Sequence, residues 1–174
     1  MVYTKEILRT AFWELLEEKP YSKITVQEIV DYCHVNRNTF YYHFQDIPTL
    51  MVDSVENWIE DVLAKYGADS TPISCFAYVA REMMARKQAF LHLFQSIHKD
   101  AFLADLNRMG YSIVRMYMER FESVSALPED EREILIHGYK CLFTGILLDW
   151  LEDNASYDLV EFAQDLHRLF PVME

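Results

Sequence analysis

The chain has 174 residues, 51% hydrophobic and 14% aromatic, with 4 glycines, 5 prolines and a net charge of −12. At this length folding buries roughly 70% of the unfolded surface, so a core forms without staples, and disorder or a turn-rich all-β chain is excluded. Three widely spaced cysteines, Cys33, Cys75 and Cys141, form neither a Cys-x-x-Cys pair nor a zinc-finger spacing, and they read as buried thiols of a reducing, cytoplasmic compartment.

Residues 4 to 18 repeat apolar side chains at three- and four-residue spacing (Ile7, Leu8, Ala11, Phe12, Leu15), which predicts an amphipathic helix ended by "KPYS". Charges recur along this N-terminal stretch where a signal peptide needs an unbroken apolar run. In "ITVQEIVDYCHV", Thr25 and Glu28 have the spacing of a capping box, so a helix starts at Val26 and runs to about Cys33 with Val26, Ile29 and Val30 inward. Asn36 then caps a third helix, "RNTFYYHF", in which Phe40 and Phe44 share the buried face. Asp46 caps a fourth, which admits Pro48 in its first turn and carries Leu50, Val55, Trp58, Ile59 and Val62. Two short helices joined by about three residues and flanked by longer ones make a helix-turn-helix.

"KYGADSTP", residues 65 to 72, is a linker-like shift in composition. Helices are expected beyond it near 73–87, 88–97, 100–109 and 111–125, followed by a pair at 129–152 and 157–170. The longest apolar-rich run, "CLFTGILLDWL", is too short to span a bilayer, so no membrane partner is expected. The fold class is all-α, with a helix-turn-helix domain at 1–48 and a second helical domain at 49–174.

With Phe40 and Phe44 inward, Arg37, Asn38, Tyr41 and Tyr42 turn to the outside of the third helix, with His43 near its rim. Arg, Asn and Tyr offer donors to phosphates and base edges, and the second helix of such a unit is the element that enters a major groove. The negative charge runs against a nucleic-acid partner, yet it is unevenly spread. Residues 1–50 hold five Lys+Arg against seven Asp+Glu, a balance of −2, and the remainder carries −10.

"ITVQEIVDYCHVNRNTFYYHFQDIPTL", residues 24 to 50, resembles the signature of the TetR family of bacterial transcriptional regulators. Its capping residues, core residues and the run Thr39, Phe40, Tyr41, His43, Phe44 coincide. The later "HGYKCLFTGILLDWLEDN" is similar to the subgroup that includes regulators of dihydroxyacetone kinase operons. The resemblance implies that Thr25, Thr39 and Tyr42 bind phosphates and that Gln27, Arg37 and Asn38 reach base edges. Tyr41 and His43 match positions that either lie against DNA or brace the helix. Where many members carry a lysine at the start of the fourth helix, this chain has Ile47. The alternative to a DNA-binding regulator is a protein-interaction module of the same fold that has lost productive DNA binding, as the acidic charge and Ile47 suggest.

A single recognition helix contacts too little DNA, so a homodimer is expected on an operator with two half-sites. Tyr139, Leu142, Phe143, Ile146 and Trp150, with Phe162, Leu166 and Leu169, form an apolar surface too wide for one side of packing, and Gly138 and Gly145 would permit close approach of helices. The resemblance also implies this four-helix dimer. In the middle helices Met83, Phe90, Phe94, Met109, Met116 and Tyr117 suit either an adaptable small-molecule pocket, as the family implies, or plain core. Control by a small molecule or a protein partner is expected. His92, His98, His137 and His167 show no metal-binding or catalytic spacing, so no metal, cofactor or enzymatic activity is expected.

Overall fold

The structure is a computed structural model that describes residues 2–65 and 72–169. The core of the linker-like stretch lies outside the described residues, as do the side chains of Cys75, Tyr117 and His167. Among the described residues ten α-helices follow in order: α1 Val2–Glu18, α2 Val26–Tyr32, α3 Arg37–His43, α4 Ile47–Lys65, α5 Pro72–Ala85, α6 Lys87–Phe94, α7 Lys99–Met118, α8 Glu122–Ser125, α9 Glu129–Glu152 and α10 Leu159–Leu169. A 3₁₀ turn, Tyr21–Lys23, links α1 to α2, and the described residues contain no strand.

These helices pack into two compact units. The first comprises Met1–Glu60 with Arg86–Asp105, and the second Asp61–Ala85 with Leu106–Glu174. Packing thus groups α6 and the start of α7 with the four N-terminal helices.

The first unit is organised around aromatic rings. Phe90 of α6 lies 5.6 Å from Trp13, 5.0 Å from Trp58 and 6.1 Å from Phe102, so α1, α4, α6 and α7 meet on one fully buried side chain. Such offset and edge contacts add to the burial of the rings themselves. Leu8, Ala11, Phe12 and Leu15 are buried on α1 as its periodicity predicts, whereas Ile7 is only half-buried. The α6 N-terminus has no side-chain cap of its own. The Glu17 carboxylate of α1 accepts from the backbone N–H groups of Ala89 and Gln88 instead, which joins the two helices by a capping interaction as well as by packing.

The helix-turn-helix forms as its capping signals require. Thr25 accepts from the Glu28 N–H at 3.3 Å while Glu28 accepts from the Thr25 N–H at 3.0 Å, a reciprocal capping box. At the other end of α2, His34 N–H donates to Asp31 O and Val35 N–H to Val30 O, at 3.2 and 3.0 Å. This pairing is a Schellman turn, and it holds His34 at φ 55°, where glycine is the usual residue. The Asn36 side chain accepts from Thr39 N–H at 2.9 Å to start α3, and Asp46 accepts from Thr49 N–H at 2.8 Å to start α4. Three caps and one tight turn therefore set the path from α2 to α4.

Asp53 on α4 clamps α1. It pairs with both Lys5 and Arg9, the latter at 2.6 Å, and Arg9 also donates to Asn57. Lys5 lies in addition 5.6 Å from the centroid of the Phe44 ring.

In the second unit α10 packs on α5, and Phe76 stacks on Phe143 of α9 at 4.8 Å and 13°. The α9 helix ends in another Schellman turn, with Ala155 N–H donating to Trp150 O at 2.7 Å. Asp158 then caps α10 by accepting from Val160 and Glu161 N–H at 2.8 and 2.9 Å.

Four sequence expectations are corrected. The helices placed at 100–109 and 111–125 are one continuous α7 followed by the single turn α8. Gly110, which falls between those two expected helices, sits inside α7, where a Cβ would lie 2.9 Å from Thr144 Oγ1, so its role is to admit α9 at a modest cost in helix propensity. Gly138 and Gly145, by contrast, have nothing within 4 Å. Cys141 is exposed rather than buried, and Cys33 is half-buried with its thiol donating to Ile7 O at 3.5 Å. Finally, α9 as a continuous 24-residue helix is long and apolar enough to cross a membrane by length and composition. Its inner residues Ile136, Phe143, Leu147, Trp150 and Leu151 are nevertheless buried within the fold.

The Asp53 clamp makes stability sensitive to acid. Burial pushes the Asp53 carboxyl up, but hydrogen bonds from Arg9 and Lys5 and their charges outweigh it and hold the group below its ordinary value. A depressed carboxylate contributes stability above its unfolded pKa, and this contribution is lost as pH falls through the folded value. Chemical denaturation between about pH 5 and about pH 2 should therefore show a shallower loss of stability for Asp53→Asn than for wild type. Parallel curves would mean that the clamp contributes nothing.

Candidate nucleic-acid interface

α3 has two opposed faces. Phe40 and Phe44 are 0% and 3% exposed, while Tyr41 and Tyr42 are 54% and 68% exposed and Arg37 and Asn38 also face outward. Edge-to-face contacts steady the outer aromatic groups: Tyr41 lies 5.4 Å from Phe40, and Tyr42 lies 5.0 Å from the half-buried His43. The outer face thus offers a guanidinium, an amide and two phenols on a helix whose rotation is fixed by its inner phenylalanines. A guanidinium suits guanine O6 and N7, and a side-chain amide suits adenine N6 and N7.

The residues predicted from sequence divide by what they already hold. Thr25 Oγ1 donates to Glu28 Oε2 at 2.8 Å, and Thr39 Oγ1 donates to Asn36 Oδ1 at 3.1 Å. Both hydroxyl protons are committed to caps, so either would have to turn to serve a phosphate. Exposed Gln27 gives one amide hydrogen to Asp31 Oδ1 at 2.7 Å and keeps its carbonyl oxygen and second amide hydrogen for another partner. Arg37 enters no ion pair among the described residues.

Most other cations of this region are engaged within the chain. Lys5 and Arg9 hold Asp53, and Lys19 holds Glu28. The Lys19 hydrogen bond is the largest influence lowering the Glu28 pKa, followed by that from Thr25. Lys23 and Arg37 are the cations of residues 1–50 without an ion pair among the described residues.

The residues read as a pocket fall in both packing units. Phe90 and Phe94 belong to the first, and Met83, Met109 and Met116 to the second. Phe90 is the centre of the aromatic core, Met83, Phe94 and Met109 are also buried, and Met116 is half-buried. Phe90 is thus already surrounded by rings of its own unit, and packing is what the structure shows it doing.

Of the residues expected at a dimer interface, Phe162 and Leu169 are 40% and 64% exposed, and Tyr139, Leu142, Ile146 and Leu166 are half-buried. Trp150 and Phe143 are instead enclosed by their own chain. Trp150 is 0% exposed and its Nε1 donates to Tyr157 O at 3.0 Å, while Phe143 stacks on Phe76. Helical spacing alone does not separate inward from outward apolar residues on so apolar a helix. Ile134 and Leu135, on the same apolar surface of α9, are exposed as well, at 70% and 36%.

The histidines have local partners. His92 Nδ1 lies 2.7 Å from Leu16 O, the His98 ring is 5.3 Å from Tyr21, and His137 is 5.5 Å from Tyr111. Among the described residues no group of three His, Cys, Asp or Glu side chains is placed to hold a metal ion.

Comparison with known proteins bears on the same two regions. Residues 7–51 match the bacterial regulatory proteins of the tetR family, and residues 70–171 match a transcriptional regulator C-terminal region. YxbF of Bacillus subtilis (strain 168), an uncharacterized HTH-type transcriptional regulator, is 26% identical over 174 residues. The match covers 93% of this chain and 43% of that relative, so the chain spans less than half of its length. Among solved structures, the dihydroxyacetone kinase operon activator DhaS is similar in fold with a TM-score of 0.82 at 16% identity, over 99% of this chain and 96% of that one. NalD, the secondary repressor of the MexAB-OprM multidrug efflux pump in Pseudomonas aeruginosa, shares the fold with a TM-score of 0.58 at 19% identity, again over 99% and 96%. α2 and α3 fall within the first matched segment and α5 to α10 within the second, and the chain belongs to the TetR family of transcriptional regulators.

Proposed function

We propose that this chain binds a palindromic or pseudo-palindromic DNA operator as a homodimer, under the control of a small molecule or a protein partner. The observation that carries this reading is the two-faced α3, with Phe40 and Phe44 buried and Arg37, Asn38, Tyr41 and Tyr42 presented outward. On this reading Arg37, Asn38 and Gln27 address base edges, while Tyr42 and the N-terminal N–H groups of α2 and α3 address phosphates. Thr25 and Thr39 serve chiefly to build those N-termini, because the Thr25 hydroxyl accepts from Glu28 N–H and the Thr39 hydroxyl donates to the capping Asn36 side chain. An effector acts by preferring one spacing of the two recognition helices and shifting the population toward or away from what DNA requires.

Exposed Ile134, Leu135, Phe162 and Leu169 on α9 and α10 support assembly through these helices. Gly138 and Gly145, which have open space around them, would let a second copy of α9 approach closely.

Selection of random duplexes by the purified protein should enrich a site with two-fold symmetry. Arg37→Ala should weaken binding to it by roughly tenfold to a hundredfold and relax one base position, whereas Tyr42→Ala should weaken all sequences alike. Folded, dimeric protein that enriches no sequence would overturn the reading. Because Lys5, Arg9 and Lys19 are held by carboxylates of the chain, the salt dependence should be shallow, corresponding to about two to four released counterions per monomer. A steep slope would show that these ion pairs open on DNA.

The glycines test the assembly. Alanine at Gly138 and Gly145 should favour the isolated helix by about 0.5–1 kcal/mol each. If a second copy packs there, the double variant should raise the dimer dissociation constant by about tenfold or more, measured by sedimentation, with helical content kept. An unchanged constant would place the interface elsewhere.

A further inference from the structure

Between α1 and α2 the chain passes through a short segment with a distinct inner and outer side. Tyr21 and Ile24 turn inward, at 6% and 5% exposed, and Tyr21 packs edge-on against Phe12 of α1 at 6.3 Å. The backbone closes on itself, with Lys23 N–H donating to Pro20 O at 2.9 Å and Ile24 N–H to Tyr21 O at 3.1 Å. Ile24 and Thr25 are extended, at φ −81° and −120°. In extended backbone neighbouring side chains alternate, so those on either side of buried Ile24, Lys23 and Thr25, leave from the outer side. Lys23, Thr25 and Gln27 are all exposed.

These outward groups differ in what they already hold. Thr25 is committed to the capping box of α2, and its N–H and hydroxyl both donate to Glu28. Lys19 pairs with that same carboxylate, and Gln27 gives one amide hydrogen to Asp31. The Lys23 ammonium, with three donors and no acceptor, has no hydrogen bond or ion pair among the described residues. Its backbone is fixed while its charge is uncompensated.

We propose that Lys23 is the phosphate anchor of the helix-turn-helix: its ammonium binds a backbone phosphate of the operator beside α2 while α3 lies in the adjacent major groove. The inference rests on the reading of α3 as the DNA-reading helix. In a helix-turn-helix the first helix crosses the DNA backbone as the second enters the groove, and Lys23 stands just before the start of that first helix. Phosphate contacts set the register of a protein on DNA, and lysine meets them as a point charge. Of the five cations in residues 1–50, Lys5, Arg9 and Lys19 are held by carboxylates, and Arg37 lies among the base-reading groups of α3. Lys23 is the one left for the backbone.

The test compares the full chain with Lys23→Gln, Lys23→Arg and Lys87→Gln, on the duplex that wild type enriches and on an unrelated one, between about 50 and about 200 mM salt. Lys87, at the start of α6, controls for net charge outside the helix-turn-helix. Residue 23 enters its turn through the backbone N–H, so Lys23→Gln should keep helical content and thermal midpoint.

The slope of log affinity against log salt should fall by about 0.9 for each lysine removed, or about 2 for a dimer that releases about four to eight counterions. Both duplexes should weaken by a similar factor and the enriched site should stay the same, because a phosphate contact carries no sequence information. Lys23→Arg should keep the slope. Three results would overturn the proposal: an unchanged slope in Lys23→Gln, an equal fall in Lys87→Gln, or a loss confined to the enriched duplex. Wild type that enriches no duplex refutes the α3 reading and the anchor with it, whereas a selective wild type with an unchanged Lys23→Gln slope removes the anchor alone.

Discussion

A seven-residue helix has no stability of its own in water, because the cost of nucleation exceeds what two turns of hydrogen bonds return. α3 exists because Phe40 and Phe44 are buried and Asn36 caps its start. That constraint fixes more than the helix's existence. With both phenylalanines inward, the rotation of α3 about its axis is set, and Arg37, Asn38, Tyr41 and Tyr42 are directed outward. The same packing reaches back to α1, where Lys5 lies over the Phe44 ring and pairs with Asp53 of α4. The features expected to read DNA are therefore by-products of how the first unit closes its core.

The charge economy follows a consistent logic. A net charge of −12 opposes approach to a polyanion, and the cations of the N-terminal region are largely drawn inward to Asp53 and Glu28. What remains on the outer surface is rich in hydrogen-bonding groups with few unpaired positive charges. Such a surface contributes little of the nonspecific electrostatic attraction that dominates many DNA complexes and relies on matched donors and acceptors. The absence of a lysine at Ile47 points the same way. Recognition on these terms favours discrimination between sequences over raw affinity.

The first fifty residues were legible because their signals are local. The Thr25 and Glu28 pair, Asn36 and Asp46 each act within three residues along the chain, and each forms the hydrogen bond its spacing predicts. Where structure depends on distant partners the sequence is mute. Spacing does not show that α7 runs on through Gly110, where Thr144 comes close, and it leaves Phe90 open between pocket and core, where Trp13, Trp58 and Phe102 surround it. On α9, whose apolar residues between Ile134 and Leu151 fall on more than one face, periodicity does not reveal that Trp150 faces inward while Ile134 faces out. The use of Glu17 to cap α6 spans about seventy residues of chain and has no sequence signature at all.

The central claim is that two copies of α3 read one duplex from adjacent major grooves. Hydroxyl-radical footprinting of the protein on the duplex it selects tests this most directly. The account predicts two protected patches on one face of the DNA, centred about one helical turn, or a whole number of turns, apart, that is about 34 Å or a multiple of it. A single protected patch, or protection that continues unchanged around the helix, would contradict it.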